Sequence, residues 1–199
     1  MHKKSFLLLA VMFFFLTGCA VTNYTMPTPS YQPSFNKIES SGKYAIFTKI
    51  DYQPVFQNEP KAIGVKKNGY GQETARIYLS ENIEDWLKKS FEQELKAAGF
   101  NVVDKRENEV VNMTLNVRQL FVEPWVGFWS ADVIGILKIE VKVEVPDKDS
   151  YYIRKFVTYD KLTTIAWPDF VFETRIANIV QRTIPEIVKE TILLLAKIS

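Results

Sequence analysis

Cys19 is the only cysteine of this 199-residue chain, and His2 is its only histidine. From residue 20 onward the chain holds neither. A Ser-His-Asp triad or a Cys-His pair needs a histidine in the folded body. A structural zinc site draws on several Cys or His ligands, and a disulfide needs two cysteines. None can be assembled, so no metal and no cofactor is expected. Carboxylates, lysines, tyrosines and hydroxyls are what remain for catalysis.

Two groups of such residues stand out. Glu81, Glu84, Asp85, Glu92 and Glu94 lie close together with Lys88, Lys89 and Lys96. A carboxylate pair can do acid–base work. Carboxylates interleaved with lysines on a helix, opposite its apolar stripe, describe a solvated face instead. The second group, Asn68-Gly69-Tyr70-Gly71, lacks the Lys-Ser/Thr ending of a phosphate loop and precedes a strand, so it is a turn. The chain is therefore not expected to be an enzyme.

The most unusual stretch is Leu120 to Gly135, where Phe121, Trp125, Phe128 and Trp129 surround Pro124 and Gly127. Connections between strands normally carry polar turn residues. Two readings stand open. The rings form a contact surface for a partner protein or for lipid headgroups, since tryptophan favours such boundaries. Alternatively they close the end of the core beneath the helices.

The start of the chain has its own pattern. Lys3 and Lys4 precede an unbroken apolar run, Phe6 to Leu16, and then the small or polar residues Thr17, Gly18, Cys19 and Ala20. That order is a secretory signal peptide. Eleven apolar residues fall short of the roughly 20 that span a bilayer. Leu16-Thr17-Gly18-Cys19 resembles the lipobox of bacterial lipoproteins. The resemblance implies cleavage before Cys19, a diacylglycerol on its thiol and an acyl chain on its new amino group. Several chains on one residue hold stably to a membrane where one binds only marginally. Among lipoproteins of this type, aspartate after the cysteine retains the protein in the inner membrane. Ala20 thus implies the outer membrane, with the domain in the periplasm.

Lys3 and Lys4 account for the whole formal charge of +2. Residues 19–199 are neutral, which leaves no electrostatic footprint for nucleic acid.

The elements that must position these residues follow from periodicity. Residues 1–18 are the removed signal and 19–42 a flexible tether with Pro27, Pro29 and Pro33. Tyr24, Tyr31 and Phe35 are the residues that would dock if part of the tether packs. A single domain spans 43–199. Strands are expected at Lys43–Ile50, Ala62–Lys66, Thr74–Leu79 and Asn101–Val103. Further strands are expected around Val111–Arg118, around Leu137–Val145 and at Tyr151–Thr164. Ser80 suits the cap of a helix whose stripe is Ile83, Leu87, Phe91 and Leu95, ending at Gly99. A terminal helical stripe runs from Phe172 to Ile198, and Pro185 predicts a kink or restart near Thr183. The fold class is α+β: a mainly antiparallel sheet covered on one face by two amphipathic helices, a two-layer sandwich.

With these elements in place, the chain resembles the YajG family of bacterial lipoproteins. The resemblance rests on Ala62-Ile63-Gly64-Val65, Asn68, Gly71, Thr74-Ala75-Arg76-Ile77, Leu95-Lys96-Ala97-Ala98-Gly99-Phe100 and Val117-Arg118-Gln119-Leu120-Phe121. That family brings no catalytic motif. It implies an outer-membrane-associated periplasmic domain; the lack of His and Cys beyond residue 19 makes contact with an envelope protein the leading expectation for its role. A lipid- or small-ligand-binding module is the alternative, and a carboxylate-based enzyme comes last.

Overall fold

Valines and isoleucines in strict alternation form the centre of the molecule. In this computed structural model, which describes residues 22–35, 44–146 and 151–198, the longest strand is β6, Val111–Val126. The other strands are β1 (Tyr24–Met26), β2 (Ala45–Tyr52), β3 (Ala62–Lys67), β4 (Glu73–Leu79), β5 (Asn101–Val103), β7 (Ala131–Glu144) and β8 (Tyr151–Thr164). Among the described residues two helices complete the fold, α1 (Ile83–Ala97) and α2 (Asp169–Ile198).

The alternation in β6 changes phase once. Val111, Met113, Leu115 and Val117 face the core, but beyond them the buried positions are Leu120, Val122 and Pro124. The register with β7 shifts between Val117 and Gln119. An extra residue taken up in a bulge moves every later side chain to the opposite face. Phe121, Glu123 and Trp125 are thereby turned outward.

β6 pairs with β7 along one edge, and β7 pairs with β8, both antiparallel. Its other edge is shared. β2 lies parallel to Val111–Val117, with β5 parallel beyond it. β3 meets β6 at the single pair Gly64↔Val122, also parallel. β4 pairs antiparallel with β3, and β1 parallel with β4. Among the described residues the sheet is mixed, with eight strands: its longest pairings, β6–β7 and β7–β8, are antiparallel as the sequence suggests, and β1, β2, β3 and β5 add parallel ones. Strands joined by tight turns must pair antiparallel, whereas β5 is reached only after crossing through α1.

α1 buries Ile83, Leu87, Phe91 and Leu95, as its stripe predicts, together with Trp86. Its cap is Asn82, not Ser80: Asn82 Oδ1 accepts the amides of Glu84 (2.8 Å) and Asp85 (3.1 Å). The Ser80 hydroxyl is engaged by Thr28 instead. Gly99 (φ 93°) closes the helix, and the Phe100 amide bonds back to the Leu95 carbonyl.

α2 runs through Pro185 without the break and restart that were one expectation there. Proline removes one helical hydrogen bond. On either side of it, however, Ile176, Ile179, Val180, Ile184, Ile187 and Val188 are buried in the same core as the strands, and that burial carries the helix across.

Residues 22–35 fall within the expected tether, yet they lie against the domain. Tyr24–Met26 forms β1, Met26 is fully buried, and Tyr24, Tyr31 and Phe35 pack on the core. The reason is a set of partners the local sequence does not announce, described below. The expected signal peptide, lipobox and Cys19 lie outside the described residues.

Candidate functional site

The four predicted contact residues divide in two. Phe121, outward after the bulge, is half-buried because Phe56 packs on it, with ring centroids 6.1 Å apart. The Arg76 guanidinium covers the other ring at 4.2 Å. Phe121 therefore belongs to a local cluster on the outer sheet face. Trp125, Phe128 and Trp129 are open, at 69%, 88% and 83% exposure. Of the two readings of these rings, the core lid does not apply to the three at the turn. They sit where the β6–β7 hairpin closes, with the Gly127 amide bonded to the Ser130 carbonyl (2.8 Å). Phe128 and Trp129 meet edge to face at 4.7 Å. The segment expected to be a long connection is mostly strand, and only residues 127–130 turn.

Other exposed apolar groups gather at this end of the sheet. The β3–β4 turn carries Tyr70, and its Gly71 faces the Val126 side chain. Asn68 Oδ1 shapes that turn by accepting the amides of Tyr70 and Gln72. β8 ends with Thr164 opposite Ala131, so the following Ile165 emerges beside the hairpin. Trp167 donates its indole N–H to the Lys67 carbonyl (3.3 Å). Asp169, at the start of α2, pairs with buried Lys66 (2.7 Å) and brings exposed Phe170 to the same end. Sequence reading missed Tyr70, Ile165 and Phe170 because nothing local marks residues from separate turns as neighbours.

The charges around this end are paired: Lys66 with Asp169, Lys67 with Glu123, Arg76 with Glu73 and Lys161 with Asp132. The end presents rings without a net field.

Glu81, Glu84 and Asp85 are exposed, as a solvated helix face requires, and Glu94 alone of the five carboxylates departs from it. Glu94 has no exposed surface. Its oxygens accept the amides of Ser34 (2.9 and 3.0 Å) and Phe35 (3.0 Å) and the Tyr31 hydroxyl. Glu92 accepts from the Thr48 hydroxyl, and Glu84 from the Tyr52 amide. Burial and the Glu94 carboxylate push the Tyr31 phenol far above its ordinary range. Burial and Glu173, which accepts its hydroxyl, do the same to Tyr24. Trp86 donates to the Pro29 carbonyl (3.0 Å), and Gln181 bonds both ways with Gln32. Residues 27–35 are thus strapped across both helices.

Among the described residues no group of three His, Cys, Asp or Glu is placed to hold a metal ion. No described helix is long and apolar enough to cross a membrane.

The geometry can be set beside known proteins. A family model described as uncharacterized lipoprotein matches residues 59–194, most of the chain. The chain belongs to this YajG-type lipoprotein family. No curated protein matches it. Among solved structures, the DUF330-family protein XCC0632 from Xanthomonas campestris is similar at 12% identity and a TM-score of 0.62. That match covers 88% of this chain and 97% of the other. A second, described only as an uncharacterized protein, matches at 8% identity and a TM-score of 0.50, covering 85% and 97%. At such identities the likeness is one of fold. Membership in a lipoprotein family places this chain in the membrane-anchored class of envelope proteins.

Proposed function

We propose that this protein is an outer-membrane lipoprotein, anchored by lipid on Cys19, whose α+β domain stands in the periplasm and acts by protein contact without a reaction of its own. The observation that carries this reading is the open edge of β8. That strand runs for 14 residues and pairs with β7 throughout. Among the described residues no strand pairs with its other edge. Tyr151, Ile153, Val157 and Tyr159 are exposed on its outer face. A free strand edge binds an added strand through main-chain hydrogen bonds, and alternate side chains give selectivity. Lys155 and Lys161 interrupt the apolar row, a device that discourages indiscriminate edge pairing. The carboxylates supply further support. Glu94 is occupied by the strap, and Asp160 by Arg175 (3.0 Å) and Asn178 (2.8 Å).

Two measurements test this reading. A photo-crosslinking residue placed at Ile153 in cells should capture a discrete envelope protein that the same group at exposed Glu107 does not. No adduct at Ile153, or the same adduct at both positions, rejects the β8 contact. Replacing Cys19 with serine should move the protein from the membrane to the soluble periplasmic fraction. Persistent membrane association of that variant contradicts the anchor.

A second reading has one observation in its favour. A groove of about 430 Å³ opens between the start of β8 and the last turns of α2, lined by Val141, Val143, Phe156, Ile187 and Leu194 among others. An apolar floor of this kind suits a small amphiphilic ligand.

A further inference from the structure

β1 points back toward the end of the sheet that carries Trp125, Phe128 and Trp129. β1 runs parallel to β4, with Tyr24 opposite Ile77, and Asn23 Oδ1 accepts the Arg76 amide (2.9 Å). Going backward along β1 therefore means going backward along β4, toward the β3–β4 turn that bears Tyr70. From Arg76 to Glu73, where β4 begins, is about 10 Å of strand. Cys19 lies four residues before Asn23, and four residues reach at most about 14 Å. Beyond Asn23 the chain is pinned to the domain by Thr28, Pro29 and the Glu94 clamp. The aromatic end is thus within about the reach of the four residues that separate Cys19 from Asn23.

We propose that this end of the domain seats on the lipid bilayer that holds the Cys19 acyl chains, with Trp125, Phe128 and Trp129 in the headgroup region and Tyr70, Ile165 and Phe170 around them. The inference rests on the lipid anchor proposed above. A tether this short holds the domain against the surface, and the end toward which β1 runs back is the one that meets it. Tryptophan and tyrosine rings, apolar with one polar atom, favour the membrane–water boundary. The flanking cations all have acidic partners, so contact brings no unpaired charge to the boundary and needs no anionic lipid. The rings orient the domain and do not hold it, since even one full acyl chain binds only marginally. The start of β8 and the groove beside it lie at the opposite end and face away from the membrane.

The test uses the full lipidated protein, purified from cells and placed in vesicles of phosphatidylethanolamine and phosphatidylglycerol brominated near the head end of their acyl chains. Two of the four tryptophans occupy this end as exposed rings, so emission is expected to fall by about half relative to unbrominated vesicles. Trp125→Phe with Trp129→Phe, made in a Trp167→Phe background because half-buried Trp167 lies at the same end, keeps aromatic bulk at each site and should remove most of that quenching. Exchanging phosphatidylglycerol for phosphatidylcholine should leave it unchanged. An unquenched native protein overturns the proposal, as does quenching that persists in the double variant or that requires the anionic lipid. Unquenched emission that is also shielded from aqueous iodide assigns the end to a protein occupant instead. Mass spectrometry of the same preparation separates the two ideas. Absence of acyl chains defeats the anchor and with it this proposal, whereas acylated but unquenched protein defeats this proposal alone.

Discussion

Gly64→Ala is expected to destabilise the domain by about 3 kcal/mol or more. A Cβ at this position would lie 2.2 Å from the Val122 carbonyl oxygen and 2.7 Å from its Cγ1. A side chain can rotate away, but a carbonyl fixed in the central strand cannot. Gly64↔Val122 is also the single register pair joining β3 to β6. Forcing it apart separates β3, β4 and β1 from the rest of the sheet, and with them Ile63, Ile77 and Leu79 of the core. Domains of this size are stable by only about 5–15 kcal/mol, so the variant should unfold at much lower guanidinium concentration than the parent, both measured as Cys19→Ser proteins. Val122→Ala should not rescue it, because the worst clash is with backbone. Gly69→Ala, which meets nothing within 4 Å, should stay within about 0.5 kcal/mol of the parent. A Gly64→Ala protein of parental stability would mean that β3 and β6 are not in this contact.

Glu94→Ala should release the strap while leaving the sheet and helices folded. Hydrogen bonds to a charged group contribute about 1.5–3 kcal/mol each in favourable settings, and they are not additive. Glu94 accepts from two amides and one phenol. Part of the loss is recovered when the freed strap regains water, so a net destabilisation of about 2–4 kcal/mol is expected. The effect should be local. The Ser34 and Phe35 amides should lose hydrogen-exchange protection, and Trp86 emission should shift as its bond to Pro29 opens. Protection in β6 and β7 should persist. Glu94→Gln should fall between, since half of its head group donates where the strap also donates. Glu81→Ala, on an exposed residue of the same region, serves as the control. If Ser34 and Phe35 keep their protection in Glu94→Ala, the clamp does not hold the strap.

Much of this molecule was legible in its residues. The absence of His and Cys beyond residue 19 removes several whole classes of chemistry whatever the fold. Hydrophobic period placed both helices and most strands, because burying one face is the dominant favourable term and shows in every turn or alternate residue. Ser80 misled because a cap depends on which oxygen reaches the free amides, and Asn82 lies two residues closer to them. Pro185 does not restart the helix, because the core packed on either side of it carries the helix across.

Other features depended on distant pairings. The mixed sheet follows from crossovers that put β2 and β3 on the same edge of β6. Glu94 carries the composition of a solvated helix residue, and only the strap folding over α1 buries it. The outward turn of Trp125 has a trace in the sequence, the break from odd to even apolar positions between Val117 and Leu120. What local order could not give is that the hairpin, the Tyr70 turn and the start of α2 arrive at one end. Sequence fixes side-chain type and local period. Which types become neighbours is set by strand pairing across the whole chain, and that convergence turned scattered rings into a surface.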